Sequence, residues 1–388
     1  MSMTKIPLLA ICFNNYGPHH RSRLAKAIEQ GKNAGFDVVG IELASQELIY
    51  PWIVEDEGNR QKKYTLFHGQ ILEEVPKPAL IRATWSLLNE LNPQALAIAG
   101  YKNAGMLTVL AWACLKKREK VLIMDSTLGD HARHPIKEWL KSKIVALFDA
   151  ALTGGTCSKE YAEFLGIPPH KISVGADVVD NDYFAERADY ARENDLSLRK
   201  RYQLPEKYFL YVGRFSEEKN ISFLLKAYSR YCQDSPEQAW ALVLCGSGPL
   251  ETKLRQEIRQ QGIQQVHLTG FKQIDELPIY YGLAQCLILP SKRDTWGLVV
   301  NEAMAAGLPV LVSKACNCAI DLISPGINGY VFDPSDVTEL SQLMLKLSSG
   351  QVDLQSMSRA AQHVISAWTL DTYAQNLFQV IQSVMKYQ

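Results

Sequence analysis

The sequence has no excess charge of either sign: 41 lysines and arginines stand against 41 aspartates and glutamates in 388 residues. A chain without a global field has no long-range pull toward nucleic acid or an anionic surface, so nucleic acid is not expected as a partner. Long apolar runs are also missing. The opening MSMTKIPLLAICF is too short for a secretory signal or a membrane helix, and no later stretch reaches spanning length. A cytoplasmic location is therefore expected, with peripheral contact at the inner face of a membrane as the other place considered. Neither an internal repeat of solenoid period nor a low-complexity tract is visible. The eight cysteines are scattered, and Cys12, Cys245 and Cys286 lie in apolar, strand-like runs, as buried reduced thiols do. Cys316-Asn317-Cys318 is the only close pair, and with no second pair nearby it reads as a loop coincidence rather than a metal site. No metal and no bound cofactor is expected.

What is present is a length suited to two domains and one stretch rich in chemistry, Pro290 to Val312. Leu287-Ile288-Leu289 reads as a buried strand. Leu298, Val299, Val300, Ala303, Met304 and Ala306 have helical spacing, Gly307 ends that helix, and Val310-Leu311-Val312 is the next strand. A carboxylate-bearing loop, Asp294-Thr295-Trp296-Gly297, thus enters a helix N-terminus at the C-terminal end of a parallel strand. Open α/β sheets bind ligands there, and the free N–H groups of such a terminus suit phosphate. Seven residues separate Asp294 from Glu302. Carboxylates beside a phosphate-binding terminus suit sugar or ribose hydroxyls; solvated side chains of an ordinary βαβ unit fit the same spacing.

PSKRDTWGLVVNEAMAAGLPVLVS resembles the acidic-x7-Glu signature of the retaining GT-B glycosyltransferases of family 4, the glycosyl transferases group 1. That signature usually reads Pro-Ser-x-x-Glu-x-(Phe/Trp)-Gly-x-x-x-x-Glu-Ala-x-Ala-x-Gly-x-Pro-Val. Asp294 stands where glutamate is commoner, which keeps the charge and shortens the reach by one methylene. Gly213-Arg214-Phe215-Ser216-Glu217-Glu218-Lys219-Asn220 resembles the family's Gly-Arg-x-x-x-x-Lys-Gly loop, with Asn220 in place of glycine. Two cations on one loop suit a diphosphate, arginine by its fork and lysine as a point charge. Gly246-Ser247-Gly248-Pro249 is similar to the family's Gly-x-Gly-Pro turn, and Val266 to Phe271 to the strand and loop whose backbone reads the base.

The N-terminal half resembles the family more weakly. A strand over Ile6 to Phe13 is followed by a turn at Gly17, where family members meet donor phosphate and acceptor, and by His19, His20, Arg21 and Arg23. His19 and His20 are acceptor-side candidates that also read as residues on the surface of a helix start. Gln46 to Gly69 reads as a polar insertion that shapes an acceptor site. Many relatives carry a histidine at the end of the strand here read over Val121 to Met124. Asp125 or Ser126 holds that place, Asp125 being the first polar side chain after the strand, with His131 and His134 following. Pro135 to Phe148 is amphipathic, with Trp139, Leu140, Ile144 and Leu147 against Lys137, Lys141 and Lys143. It suits a helix packed on the sheet with a solvated basic side, or a face touching membrane or a lipid-linked acceptor. Asp180-Asn181-Asp182 matches a metal-binding D-x-D by letters only.

The resemblance implies a GT-B fold: two doubly wound, Rossmann-like α/β domains with a cleft between them. The expected boundaries are 1–195 for an acceptor domain and 205–365 for a nucleotide-sugar domain, with a C-terminal helix over 366–388 crossing back. The charged, weakly apolar stretch Ala185 to Arg201 marks the junction. The implied activity is transfer, with retention, from a UDP- or GDP-sugar to a hydroxyl acceptor: glycan, lipid-linked sugar or small molecule. Arg214, Lys219, Asp294 and Asp125 are the candidate catalytic residues. Gly17, Gly213, Gly246, Gly248, Phe271, Thr295, Trp296, Gly297, Leu298 and Glu302 are candidates for holding the donor, Glu302 at the ribose. A non-catalytic nucleotide-sugar-binding subunit and a UDP-sugar 2-epimerase are the alternatives.

Overall fold

The computed structural model describes residues 6–48, 52, 62–235, 237 and 239–385. These fall into two units: one runs to Val178 and resumes at Leu370, the other is Val179–Thr369.

The first unit opens with Leu8–Phe13 (β1), six apolar residues of which all but Leu8 are buried, as a strand covered on both faces requires. Pro18–Gly31 (α1) follows, with proline at its first turn. Next come Asp37–Gln46 (β2), Lys63–Ile71 (β3), Lys77–Leu91 (α2), Ala95–Ala99 (β4) and Ala104–Leu115 (α3). Glu119–Met124 (β5), Pro135–Val145 (α4), Ala150–Thr153 (β6), Thr156–Phe164 (α5) and Ile172–Val174 (β7) complete it. The seven strands lie in the order β3-β2-β1-β4-β5-β6-β7, all neighbours parallel. The chain therefore reverses its direction of winding at β1 and β4, the switch point of a doubly wound sheet. Part of the stretch read as a polar insertion is β3, an edge strand paired with β2; residues 49–51 and 53–61 of that stretch lie outside the described residues.

The second unit begins with Asn181–Glu193 (α6) and Asp195–Tyr202 (α7). Tyr208–Val212 (β8), Ile221–Asp234 (α8), Ala241–Cys245 (β9), Glu251–Gln260 (α9), Val266–Gly270 (β10), Leu277–Leu283 (α10) and Cys286–Leu289 (β11) follow. Leu298–Ala305 (α11), Val310–Ser313 (β12), Cys318–Leu322 (α12), Gly329–Phe332 (β13), Val337–Ser348 (α13) and Leu354–Ile365 (α14) close it. Its six parallel strands lie in the order β10-β9-β8-β11-β12-β13, with the switch point at β8 and β11.

The sequence expectation of a junction at 195–205 is corrected. The structure turns from one unit to the other at Val178, because α6 packs on α10 and α11. The α6–α10 crossing is tight: a Cβ on Gly282 would lie 2.6 Å from the Ala188 carbonyl oxygen. Arg199 of α7 donates to the Leu283 carbonyl at 3.0 Å. Leu370–Val384 (α15) packs in the first unit against α1 and the ends of β5, β6 and β7. Asn376 donates to the Val174 carbonyl at 2.7 Å, and the rings of Phe36 and Phe378 stack 5.8 Å apart. Among the described residues no helix is long and apolar enough to cross a membrane.

Candidate functional site

The second sheet sets its site by where its strands end. After β8 the chain runs through Gly213 to Asn220, and after β11 through Pro290 to Gly297, the two loops that flank the switch point. The Lys292 amide donates to the Glu218 carbonyl at 2.8 Å, tying one loop to the other. Lys219 Nζ then reaches Oδ2 of Asp294 at 2.6 Å, both side chains largely buried. Ser291 Oγ donates to the same Asp294 oxygen at 3.4 Å.

The Asp294 loop is braced from behind. The Asp294 amide donates to the Ala315 carbonyl and the Asn317 amide to the Asp294 carbonyl, each at 3.2 Å. Gly297 has φ +101 at the cap of α11, a conformation that favours glycine, and it turns the chain into the helix. The Val300 amide turns back to the Gly297 carbonyl at 2.9 Å, and the amides of Leu298 and Val299 open the helix at its positive end. Trp296 points inward: its Nε1 donates to Asn301 Oδ1 at 2.9 Å and its ring lies 5.0 Å from that of Trp368. Its backbone, with that of Thr295 and Leu298, is what this residue can offer a ligand. Cys316 sits beside Asp294 as a buried thiol, its pKa pushed up by burial and by that carboxylate.

Arg214 and Lys219 also share a neighbour. Burial pushes the Glu218 carboxyl up, yet hydrogen bonds from Ser216 and the Glu218 amide, with Lys219 and Arg214 nearby, hold it below its ordinary value. The glycines after β9 allow this loop to lie close. A Cβ on Gly246 would stand 1.9 Å from the Gly213 carbonyl oxygen, and one on Gly248 2.5 Å from that of Phe215. The Phe215 amide donates to the Ser247 carbonyl, and the Gly246 amide to the Gly270 carbonyl next to Phe271. The structure therefore brings Arg214, Lys219, Asp294, Gly213, Gly246, Gly248 and Phe271 to one edge of one sheet.

Glu302 lies on α11, only 3% exposed, and accepts a hydrogen bond from the phenol of Tyr281 on α10 at 2.5 Å. Sequence reasoning missed Tyr281, which reads as an apolar position of a helix. Ser291 and Asn317 were also missed, although Ser291 stands inside the quoted signature.

The first sheet has the same geometry at its own switch point. Asn14, after β1, accepts from Asn103, after β4, at 2.6 Å. Gly17 caps α1, and the Tyr16 amide donates to buried Glu42 at 2.6 Å. His20 stacks on Phe13 with centroids 4.2 Å apart, and its Nδ1 meets the Asn15 carbonyl at 3.1 Å. Since a carbonyl only accepts, Nδ1 carries the proton and Nε2 has the lone pair. Burial, with Arg23 adding, lowers the His20 pKa to about 3, so the ring is neutral near pH 7 and serves as a packed hydrogen-bonding group. His19 is half-buried on the first turn of α1.

Asp125 is exposed, directly after the last residue of β5. Burial pulls the Arg23 guanidinium down from its ordinary value, while Asp177, Tyr373 and Asp125 oppose that shift. The loop after Asp125 is held by Asp130, which accepts from the Thr127 amide at 2.6 Å, and by Arg133, which donates to the Leu128 carbonyl at 3.1 Å. His131 is exposed on it. Asp180 caps α6, accepting from the Tyr183 amide at 3.1 Å, a sufficient reason for that carboxylate.

Residues 196–364 match the model of the family "Glycosyl transferases group 1". That span, less than half of the chain, is similar to a glycosyl transferases group 1 domain. The matched span contains both the Arg214–Lys219 loop and the Asp294–Glu302 stretch. Among curated proteins, the chain is 27% identical over 225 residues to alpha-D-kanosaminyltransferase of Streptomyces kanamyceticus, 57% of each chain. The match to O-antigen chain mannosyltransferase B of Escherichia coli is 29% identical over 39% of each. The chain thus spans little more than half, or less, of the curated relatives it matches. Among solved structures, a glycosyltransferase from Rickettsia africae superposes with a TM-score of 0.75 at 13% identity, over 99% of this chain and all of that one. At that identity the likeness establishes the fold, and the fold is GT-B.

Proposed function

We propose that the chain is a glycosyltransferase that moves a sugar from a nucleotide diphosphate sugar to a hydroxyl acceptor. The observation that carries this reading is the 2.6 Å pair of Lys219 and Asp294. A cation and a carboxylate, on two loops at a switch point, suit the two ends of one donor: the diphosphate and the sugar. Arg214 and Lys219 would stabilise the negative charge that grows on the departing diphosphate. Asp294 would hold sugar hydroxyls, helped by the amides of Thr295 to Leu298, and Glu302 the ribose. In the first unit Gly17 would meet the donor, Asp125 the donor sugar or the acceptor hydroxyl, and His19, His20 and His131 would serve the acceptor.

Retention follows in this proposal from a front-face route. The leaving diphosphate oxygen accepts the acceptor's proton as the new glycosidic bond forms and the old one breaks, so no protein base is required. HepE of Anabaena, which superposes with a TM-score of 0.72 at 15% identity over 97% of this chain and all of its own, was crystallised with UDP and glucose. That supports a UDP-sugar as the first donor to try, with GDP-sugars next. With phosphate charge met by Arg214, Lys219 and helix amides, transfer is expected to need no divalent metal.

The test is a thermal-shift screen over nucleoside diphosphates, followed by transfer assays with the matching sugars. A ligand at about 100 times its dissociation constant stabilises the fold by about 2.7 kcal/mol. Nucleotide release coupled to a new glycoside supports the proposal. Binding without turnover points to a non-catalytic subunit, and an epimerised sugar from one substrate to an epimerase. Complete loss of transfer in EDTA, restored by Mn²⁺ or Mg²⁺, would defeat metal independence.

A further inference from the structure

Helix α4 leaves most of its apolar side chains in water. Its exposed side carries Ile136 at 64%, Trp139 at 57% and Leu140 at 52% exposure, with Leu147 at 47% just beyond the last turn. Positions 136, 139, 140 and 143 fall on one helical stripe. The inward side holds Glu138 instead, buried, accepting from the Tyr161 phenol at 2.6 Å and from Lys141 Nζ at 2.8 Å. Arg133 adds a hydrogen bond to Tyr161 OH at 2.8 Å and stacks over that ring at 4.3 Å. Burial opposes charge on Glu138, but hydrogen bonds from Lys141 and Tyr161 outweigh it and hold the carboxyl below its ordinary value. The sequence left two readings open, an apolar side packed on the sheet or a face touching membrane or a lipid-linked acceptor. In the structure only Val145 and Ile144 of the helix reach the core, and a four-member polar network takes the rest of the inward face.

We infer that this exposed face of α4 docks on an anionic lipid membrane. A tryptophan, an isoleucine and two leucines left in water, on and just after a helix that turns its one acid inward, suit an apolar partner. The charge beside them chooses which one. Lys137 and Lys143 are exposed on the same helix, Lys143 with its ammonium 5.5 Å from the centroid of the Trp139 ring. The helix's one acid, Glu138, is buried and paired, so its outer face is apolar and cationic without a compensating carboxylate. That is the pattern of a helix lying in the lipid interface, with aromatic and aliphatic groups below the headgroups and lysines at their level. A chain with no net charge has no global attraction to such a surface, so the attraction has to be local. The inference rests on the first unit alone and does not require the transfer reading.

Vesicle flotation of the full chain tests it without any sugar substrate. The chain should float with vesicles about a third phosphatidylglycerol, and much less with phosphatidylcholine alone. Trp139→Glu with Leu140→Glu should lower partitioning at least tenfold with an unchanged melting temperature, since both sites are exposed. Lys137→Glu with Lys143→Glu should weaken binding to anionic vesicles only, by roughly fivefold for each lysine lost. Three results would overturn the inference: no flotation with anionic vesicles at low salt, equal flotation of the Trp139→Glu/Leu140→Glu variant, or equal binding to neutral vesicles. A concentration-dependent dimer in sedimentation, abolished by that variant and unaccompanied by vesicle binding, would assign the face to a second copy of the chain.

Discussion

Tyr281 donates its buried phenol O–H to Oε2 of Glu302 at 2.5 Å, so the carboxylate at the far end of the signature is held by a neighbouring helix. Burial first, then Glu302, raises the Tyr281 pKa well above its ordinary value, so the phenol stays a donor across the accessible pH range. Tyr281→Phe keeps the ring and removes that donor. If Glu302 holds the ribose, the donor KM should rise several-fold with kcat little changed, because ribose binding is shared by ground and transition states. Loss of a buried partner should cost about 1–3 kcal/mol of stability. A lower melting temperature with an unchanged KM would make Tyr281 purely structural.

Lys219 and Asp294 should separate in their effects although they touch. Lys219→Ala, or Arg214→Ala, should lower kcat by about 10²-fold and weaken the bare nucleoside diphosphate too, because the cation meets the phosphates. Asp294→Asn should leave affinity for the bare nucleotide near that of the wild type and weaken the sugar-bearing donor. Calorimetry with both ligands reads the difference. Near-normal kcat/KM in either alanine variant would remove that loop from the phosphates.

The pH dependence of folding gives His20 a separate test. Its pKa in the folded chain is about 3, below the ordinary 6.5, with burial as the main cause. Between these values the unfolded chain binds a proton that the folded chain does not, so stability rises with pH across that window. The contribution is fully present above about pH 6.5 and is lost as pH falls toward 3. Melting curves of the wild type should therefore drop steadily over that acid range, and His20→Gln should show a shallower drop. Parallel slopes would mean that the ring titrates normally.

Much of the fold was legible because parallel strands buried on both faces are written as apolar runs. Leu9 to Phe13, Val121 to Met124 and Leu287 to Leu289 need no partner sequence to be recognised. The loops at the second switch point were legible because glycines, cations and carboxylates stand there at fixed offsets. What failed depended on distant neighbours. The periodicity of Pro135 to Phe148 shows two faces but not which one turns inward, and the choice was made by Tyr161, a residue of the next helix. The stretch after Ala185 looked like a linker because its charges outnumber its apolar residues. Phe184, Ala188 and Ala191 still make a buried stripe at helical spacing, and small residues there let α10 approach. Tyr281 was hidden for a similar reason: a phenol in an apolar helix reads as core until its oxygen is seen to face a carboxylate.

Asp125 is the residue on which the resemblance and this chain part company. Relatives often place a histidine at this strand end, and here a carboxylate is exposed immediately after β5, at the edge where open α/β sheets bind ligands. An ionised carboxylate only accepts hydrogen bonds, so it suits a substrate hydroxyl or a nearby cation rather than the role of a donor. Arg23 feels its charge, but a guanidinium that gives two hydrogen bonds to the Val178 carbonyl, at 3.0 and 2.8 Å, already has its place. The loop beyond Asp125 is held by Asp130, which accepts from the Thr127 amide and hydroxyl, and by Arg133, which donates to the Leu128 carbonyl. Asp125→Asn keeps the size, exchanges one acceptor for a donor and removes the charge. Transfer should fall by about 10-fold or more while the melting temperature stays within the range of an ordinary surface substitution. Wild-type turnover by Asp125→Asn would make the residue part of the turn only, and would move the search to His131 on the same loop.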